Sequence, residues 1–263
     1  MKKFLREHYD SGLNLLRKVY SLGKYNRMYE YYIMGPDGPM IYCWYKLRKG
    51  ILHSKNGPAG EKYHYGKLAL RVWSQNIDDK PAECYESFIK DEFFRGDCAI
   101  YHRVDGPAVE VYEDGRLYEL SWFFRGRLHN DNGPANLNYH INGKVHFQEY
   151  FRHGLLHRDD GPAVICYDLN GNIVSTYHYK DGKMNNEKGP AMSEVLFGGR
   201  LIAHSWYKNG ELHRLDGPAV EYRDVDGNLV QVGYYIEGCC ISEEDFKKMR
   251  ISKTIKPDFT FKV

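Results

Sequence analysis

Five histidines in this chain are followed three residues later by Asp or Asn, directly before a Gly-Pro step: His53 with Asn56, His102 with Asp105, His129 with Asn132, His157 with Asp160, and His213 with Asp216. Imidazole and carboxylate are the usual partners in general base catalysis and in metal ligation. An active site, however, is one place, whereas this pair recurs at a fixed offset. In a sixth position Asn185 and Lys188 stand in for the pair. The pattern is therefore read as a building rule: the Asp or Asn accepts backbone N–H bonds in a tight turn, and the histidine bridges to a neighbouring strand. On this reading His53, His102, His129, His157, His213, Asp105, Asp160 and Asp216 are structural, with no catalytic residue, no cofactor and no metal site. No zinc-binding cysteine spacing, phosphate-cradling glycine loop or nucleophile elbow occurs. Six cysteines are expected as reduced thiols, and the vicinal Cys239-Cys240 pair is weak evidence for redox chemistry.

The pair belongs to a longer phrase, cleanest as WYKNGELHRLDGPAV from Trp206 to Val220. Gly-Pro steps fall at Gly38, Gly57, Gly106, Gly133, Gly161, Gly189 and Gly217, with Lys80-Pro81-Ala82 where one more is due, which makes eight copies. The spacing is irregular at first and settles to 27 and then 28 residues from Gly106 on. Within a copy, turns such as Asp114-Gly115, Asn142-Gly143 and Asn170-Gly171 predict hairpins. A second glycine turn follows at Gly126, Gly154, Gly182, Gly210 and Gly238. Before it stand Phe123, Phe151, Tyr179, Tyr207 and Tyr235, preceded by Trp122, Tyr150, His178, Trp206 and Tyr234. Neighbours in a strand face opposite ways, so an aromatic column is expected on each face of the sheet as the main source of stability.

The fold expected is all-β, an elongated, twisted antiparallel array of β-hairpin repeats with a helical cap at each end. The apolar spacing of Phe4, Leu13, Leu16 and Tyr20 predicts an N-terminal helical cap within residues 1–30, with Ser11 and Gly12 marking a break. The array spans residues 31–238, irregular over 31–105 and regular over 106–238. Ser242-Glu243-Glu244-Asp245 signals a short helix within 239–263, followed by a tail suited to a last strand. The 23 tyrosines and 26 glycines agree with strands and turns, and the net charge of +2 gives no global field for a polyanion. The charged first 20 residues and the absence of a long apolar run predict a soluble, cytoplasmic protein with no membrane span.

The Trp-Tyr-Lys-Asn-Gly unit resembles the MORN type of hairpin-repeat protein. The Leu-His-Arg-x-Asp-Gly-Pro-Ala extension more specifically resembles tandem-repeat proteins of large DNA viruses and phages. The resemblance covers about residues 31–238, with a longer period than a standard MORN array. It implies a non-enzymatic protein-binding or scaffolding module, with a host factor as partner if the source is viral. The alternative is a nucleotide or single-stranded nucleic-acid binder. Its candidate contacts are Trp73, Arg103, Trp122, Arg158, Trp206 and Arg214, the arginines each following a repeat histidine. Aromatic columns on both faces leave a homodimer open. The phrase breaks down between Trp73 and Cys98, where a localised function is to be sought.

Overall fold

A computed structural model describes residues 2–10, 15–24, 26–36, 38–48, 51–54, 56–74 and 101–254. They fall into two compact units, residues 1–154 and 155–263. Both units are predominantly β.

The first unit opens with β1 (Lys3–Asp10), β2 (Leu15–Ser21), β3 (Asn26–Gly35), β4 (Gly38–Arg48) and the short β5 (Ile51–Leu52). It continues with β6 (Gly60–His64), β7 (Lys67–Val72), β8 (Val109–Glu113) and β9 (Arg116–Ser121). After the two-residue β10 (Phe123–Phe124) and β11 (Arg127–Leu128) come β12 (Asn136–Tyr139), β13 (Val145–Glu149) and β14 (Phe151–Arg152). Antiparallel pairing runs in the order β1, β2, β3, β4, β6, β7, β8, β9, β12, β13. β10 and β11 form a separate small hairpin.

The N-terminal helical cap is overturned: β1 and β2 are strands. The reason is tertiary. β3 carries a full ladder along its β4 side, and its other edge needs donors and acceptors that a helix cannot offer. β2 supplies them from Leu15↔Ile33 to Ser21↔Arg27, and β1 pairs in turn with Glu7 opposite Lys18. Side chains then bind across the three strands. The buried Glu30 carboxylate accepts from Lys2 Nζ at 2.6 Å, Tyr20 Oη at 2.9 Å and Tyr32 Oη at 3.2 Å. Ser11 and Gly12 lie outside the described residues.

Aromatic stacking beside these strands involves tyrosines outside the columns expected from the sequence. Tyr32, Tyr42 and Tyr63 occupy one cross-strand row with ring centroids 4.8 and 5.7 Å apart. On the opposite side of β4, Tyr45 stacks on Tyr29 and Tyr31 at 5.2 and 5.6 Å, and its hydroxyl meets that of Tyr31 at 2.9 Å.

The second unit has β15 (Leu155–Leu156), β16 (Val164–Tyr167), β17 (Ile173–Tyr177), β18 (Tyr179–Lys180), β19 (Lys183–Met184), β20 (Met192–Leu196) and β21 (Leu201–Ser205). β22 (Tyr207–Lys208), β23 (Glu211–Leu212), β24 (Val220–Asp224), β25 (Leu229–Ile236), β26 (Cys239–Ile241) and the helix α1 (Glu243–Thr254) complete it. Its sheet runs β16, β17, β20, β21, β24, β25, all antiparallel. Two-residue hairpins β18/β19 and β22/β23 stand apart from it. The C-terminal helix is present. Ser242 Oγ accepts the Asp245 N–H at 3.0 Å and donates to its carboxylate at 2.7 Å, and Phe246 packs on Tyr234 with centroids 4.8 Å apart. The tail expected as a last strand, residues 255–263, lies outside the described residues.

In six of the eight copies the alanine after Gly-Pro, an inconspicuous residue in the sequence, is fully buried. Ala59, Ala108 and Ala135 in the first unit and Ala163, Ala191 and Ala219 in the second are all 0% exposed. Each sits where two strands and the Gly-Pro loop converge. The Ala191 N–H donates to Ser205 O at 2.8 Å, and its carbonyl accepts from His178 N–H at 2.7 Å. No larger side chain fits without moving backbone. Ala191→Leu is expected to lower the unfolding free energy by about 1–3 kcal/mol through overpacking, read as a lower denaturant midpoint at unchanged m-value.

Candidate functional site

Four of the five repeat histidines share one contact, and the glycine turns show what it does. Arg125-Gly126 and His153-Gly154 in the first unit, and Asp181-Gly182, Asn209-Gly210 and Glu237-Gly238 in the second, have positive φ at both residues, between 49° and 93°. That is the two-residue hairpin turn whose twist matches its strands. Its two amides point away from the hairpin and need acceptors. The glycine N–H finds the carbonyl of the residue before the preceding copy's His or Asn: Gly126 to Tyr101, Gly154 to Leu128, Gly182 to Leu156, Gly210 to Met184 and Gly238 to Leu212, all at 2.8–3.0 Å. The amide before it donates to the histidine Nδ1: Arg125 to His102 at 3.4 Å, His153 to His129 at 3.5 Å, Asp181 to His157 at 3.1 Å, and Glu237 to His213 at 3.1 Å. In the copy that lacks histidine, the Asn209 N–H donates to Asn185 Oδ1 at 3.0 Å. The side chain is thus selected as an acceptor, which an amide oxygen satisfies as well as an imidazole nitrogen. His53 is half-buried, and its own N–H donates to Lys46 O at 3.0 Å.

The histidines differ in surroundings. Burial, with the Arg125 guanidinium nearby, holds the His102 ring below the usual imidazole range. At His157, Nδ1 also lies 2.8 Å from Asp181 Oδ1, and Nε2 has Asp159 Oδ2 at 3.2 Å as an ion contact without hydrogen-bond alignment.

The arginines that follow are clamps on their own loops. Arg103, Arg158 and Arg214 donate through Nε to Asp105, Asp160 and Asp216 at 2.8–2.9 Å, and through Nη1 to the carbonyls of Pro107, Pro162 and Pro218 at 3.1–3.3 Å. Where the sequence has Asn130 or Asn186 instead, the amide Nδ2 reaches Pro134 O or Pro190 O at 2.8 and 2.9 Å. Two guanidinium groups also cover tryptophans: Arg103 lies 4.2 Å from the Trp73 centroid and Arg214 3.8 Å from that of Trp206. Arg214 Nη1 further binds the buried Glu221 at 2.7 Å. Trp122 is half-buried and its N–H donates to Ala135 O at 2.8 Å. Of the six candidate contacts, Trp73 meets Arg103 in the first unit and Trp206 meets Arg214 in the second, while Arg158 binds its own loop.

A cleft of about 310 Å³ in the second unit lies between successive loops, lined by Arg158, His178, Tyr179, Asn185, Asn186 and Lys188. Arg158, Lys180 and Lys188 on its wall are matched by Asp159, Asp160 and Glu187, so it carries no net field for an anion. Among the described residues no group of three His, Cys, Asp or Glu side chains could hold a metal ion. Cys239 and Cys240 are exposed neighbours in β26, where successive side chains face opposite ways. Of the irregular stretch, Trp73 and Ser74 are described and residues 75–100, with Cys84 and Cys98, are not.

Compared with known proteins, the chain matches no family model, no curated protein and no solved structure.

Sequence reasoning missed the Nδ1 contact because it spans 24 residues in most copies. The signal was nonetheless there: the one copy without histidine keeps an acceptor side chain. His213→Ala is expected to cost about 0.5–1.5 kcal/mol, and His213→Asn to recover most of it, measured by chemical denaturation. The clamps set an acid limit. Arg103, Arg158 and Arg214 hold the carboxyls of Asp105, Asp160 and Asp216 below the usual range. A carboxyl lowered in the folded state contributes stability that is complete above its unfolded value, near ~3.9, and lost as pH falls through the folded one. Asp216→Asn should therefore be less stable than the parent at neutral pH, and the two should converge below about pH 4. Urea midpoints against pH measure this.

Proposed function

We propose that the chain is a non-enzymatic repeat protein acting as a protein-binding or scaffolding module, of the kind its MORN-type phrase implies. The observation that carries this reading is the open edge of β25. Leu229, Val230 and Val232 are 51, 59 and 37% exposed, and β25 pairs with β24 on one side and with β26 only over Tyr234–Ile236. Among the described residues nothing pairs with its outer side over 229–233. An apolar edge without charge or proline is a template on which another chain can add a strand. β1, paired among the described residues with β2 alone, exposes Phe4, Leu5 and Tyr9, but its Lys3, Arg6, Glu7 and Asp10 make it a charged edge. No helix of the described residues is long and apolar enough to cross a membrane.

The nucleotide or single-stranded nucleic-acid reading is the less favoured alternative, since most of its proposed contacts are already engaged. Arg103, Arg158 and Arg214 are bonded to their own loops, and Trp73 and Trp206 each carry a guanidinium on a ring face. Lysine on an edge strand blocks strand addition without touching the core. V230K/V232K is expected to abolish partner capture seen with the parent while leaving Tm unchanged. A thermal-shift series with nucleotides, oligothymidylate and divalent metals should show no stabilisation. A dose-dependent rise in Tm with any of them overturns the scaffold reading.

A further inference from the structure

We infer that the first unit carries a proton-released latch: acidification to about pH 5 undocks the turns Arg125-Gly126 and His153-Gly154 from the copy before them, while the equivalent turns Asp181-Gly182 and Asn209-Gly210 of the second unit stay fastened. The latch is independent of the protein-binding reading above. Each turn is held by two bonds, and only one of them can titrate. The glycine N–H goes to a backbone carbonyl, Gly126 to Tyr101 at 3.0 Å and Gly154 to Leu128 at 2.8 Å. The amide before it goes to Nδ1 of His102 at 3.4 Å or of His129 at 3.5 Å. A ring nitrogen that accepts is unprotonated, so these histidines hold their turns only as the neutral tautomer with its proton on Nε2. A proton at Nδ1 sets two N–H donors head to head, and one of the two fastenings becomes a repulsion.

The groups that face each ring decide whether its turn survives. His102 is buried, meets Phe124 edge-on at 5.2 Å, and has the Arg125 guanidinium as its charged neighbour among the described residues. Burial first, and then that guanidinium, disfavour its charged form. The docked turn thus refuses a proton that the released ring takes up near ~6.5, so docking weakens as pH falls through that value and recovers as it rises. His129 stacks on His153 at 4.4 Å, so a protonated His129 faces a second imidazole that acid also charges. The carboxylate at its other nitrogen, Asp131 at 3.5 Å from Nε2, is 82% exposed and therefore screened. Phe124 touches the His129 ring as well, at 5.8 Å, so the two latches share a wall. In the second unit the facing groups have the opposite sign. His157 has Asp181 Oδ1 at 2.8 Å from Nδ1 and Asp159 Oδ2 at 3.2 Å from Nε2. The proton that displaces the Asp181 amide is received by the Asp181 carboxylate, and the turn stays tied through its side chain. The turn at Asn209 hangs on the Asn185 amide oxygen, which takes up no proton in this range. At His213 the turn residue is again an acid, Glu237.

The test follows the amide hydrogen exchange of the turn glycines in the full chain by NMR, corrected for the intrinsic rate, at about pH 7.5 and about pH 5, a range above the acid limit of the Asp clamps. Gly126 and Gly154 should lose protection on the order of tenfold, the scale of one lost hydrogen bond, while Gly182 and Gly210 keep theirs. H102N/H129N installs the acceptor that Asn185 already supplies. It should keep the parent's Tm at neutral pH and hold Gly126 and Gly154 protected in acid. Asp181→Gly, which the positive φ accepts, removes the receiving carboxylate and should make Gly182 acid-sensitive. Unchanged protection at Gly126 and Gly154 in the parent, or an equal loss at Gly182 and Gly210, overturns the latch whether or not the variants fold. So does an acid loss in H102N/H129N equal to the parent's, which would lay the effect on the other imidazole pair of this unit, His140 and His146, with centroids 4.2 Å apart. Protection of Gly182 that persists in Asp181→Gly overturns the role given to the carboxylate.

Discussion

A two-residue hairpin turn with both residues at positive φ turns two backbone amides outward, and the whole architecture depends on where those amides go. Here each goes to the preceding copy, one to a carbonyl and one to the Nδ1 of a histidine or the Oδ1 of an asparagine. Neither partner is local in sequence. The small hairpins, two residues to a strand, would be marginal alone. Their stability is borrowed from the copy before, and the sheet ladders from β16 to β25 then need only continue a register already set.

Around this contact the other conspicuous residues take subordinate places. The arginine closes its own loop onto Asp and the proline carbonyl, which fixes the direction in which the chain enters the next strand. Gly-Pro follows, and at Gly217 a Cβ would lie 3.1 Å from the Arg214 guanidinium carbon, so the arginine clamp packs tightly over the glycine. The alanine that comes next is sealed between strands. A phrase that looks like an array of histidine and aspartate sites is, over the described residues, a sequence of fastenings.

Much of this was legible, unevenly. The turns could be read because glycine after Asn or Asp answers to a single steric requirement. The structural role of His213 and its equivalents followed from Asn185 alone, although the bond itself could not be seen, since nothing in a sequence marks a contact 24 residues away. The N-terminal segment misled because Phe4, Leu16 and Tyr20 fit a helical stripe as well as strands, and the deciding factor was the unpaired edge of β3. The aromatic columns were overvalued. Tyr45 and its neighbours do form a core, but Ala163, Ala191 and Ala219 are the sealed points of the second unit, and alanine carries no signal in a propensity reading.

Ser74 and Tyr101 face each other as an antiparallel bridge. The contacts of a regular copy recur beside it. The His102 N–H reaches Trp73 O at 3.4 Å as that of His213 reaches Trp206 O at 2.9 Å, and Arg103 covers Trp73 as Arg214 covers Trp206. Tryptophan and histidine are 7 residues apart in one case (213 − 206) and 29 in the other (102 − 73). Closing a longer chain segment costs only about 0.6 kcal/mol per doubling, so the contact between Trp73 and His102 survives a roughly fourfold greater separation in sequence at little cost.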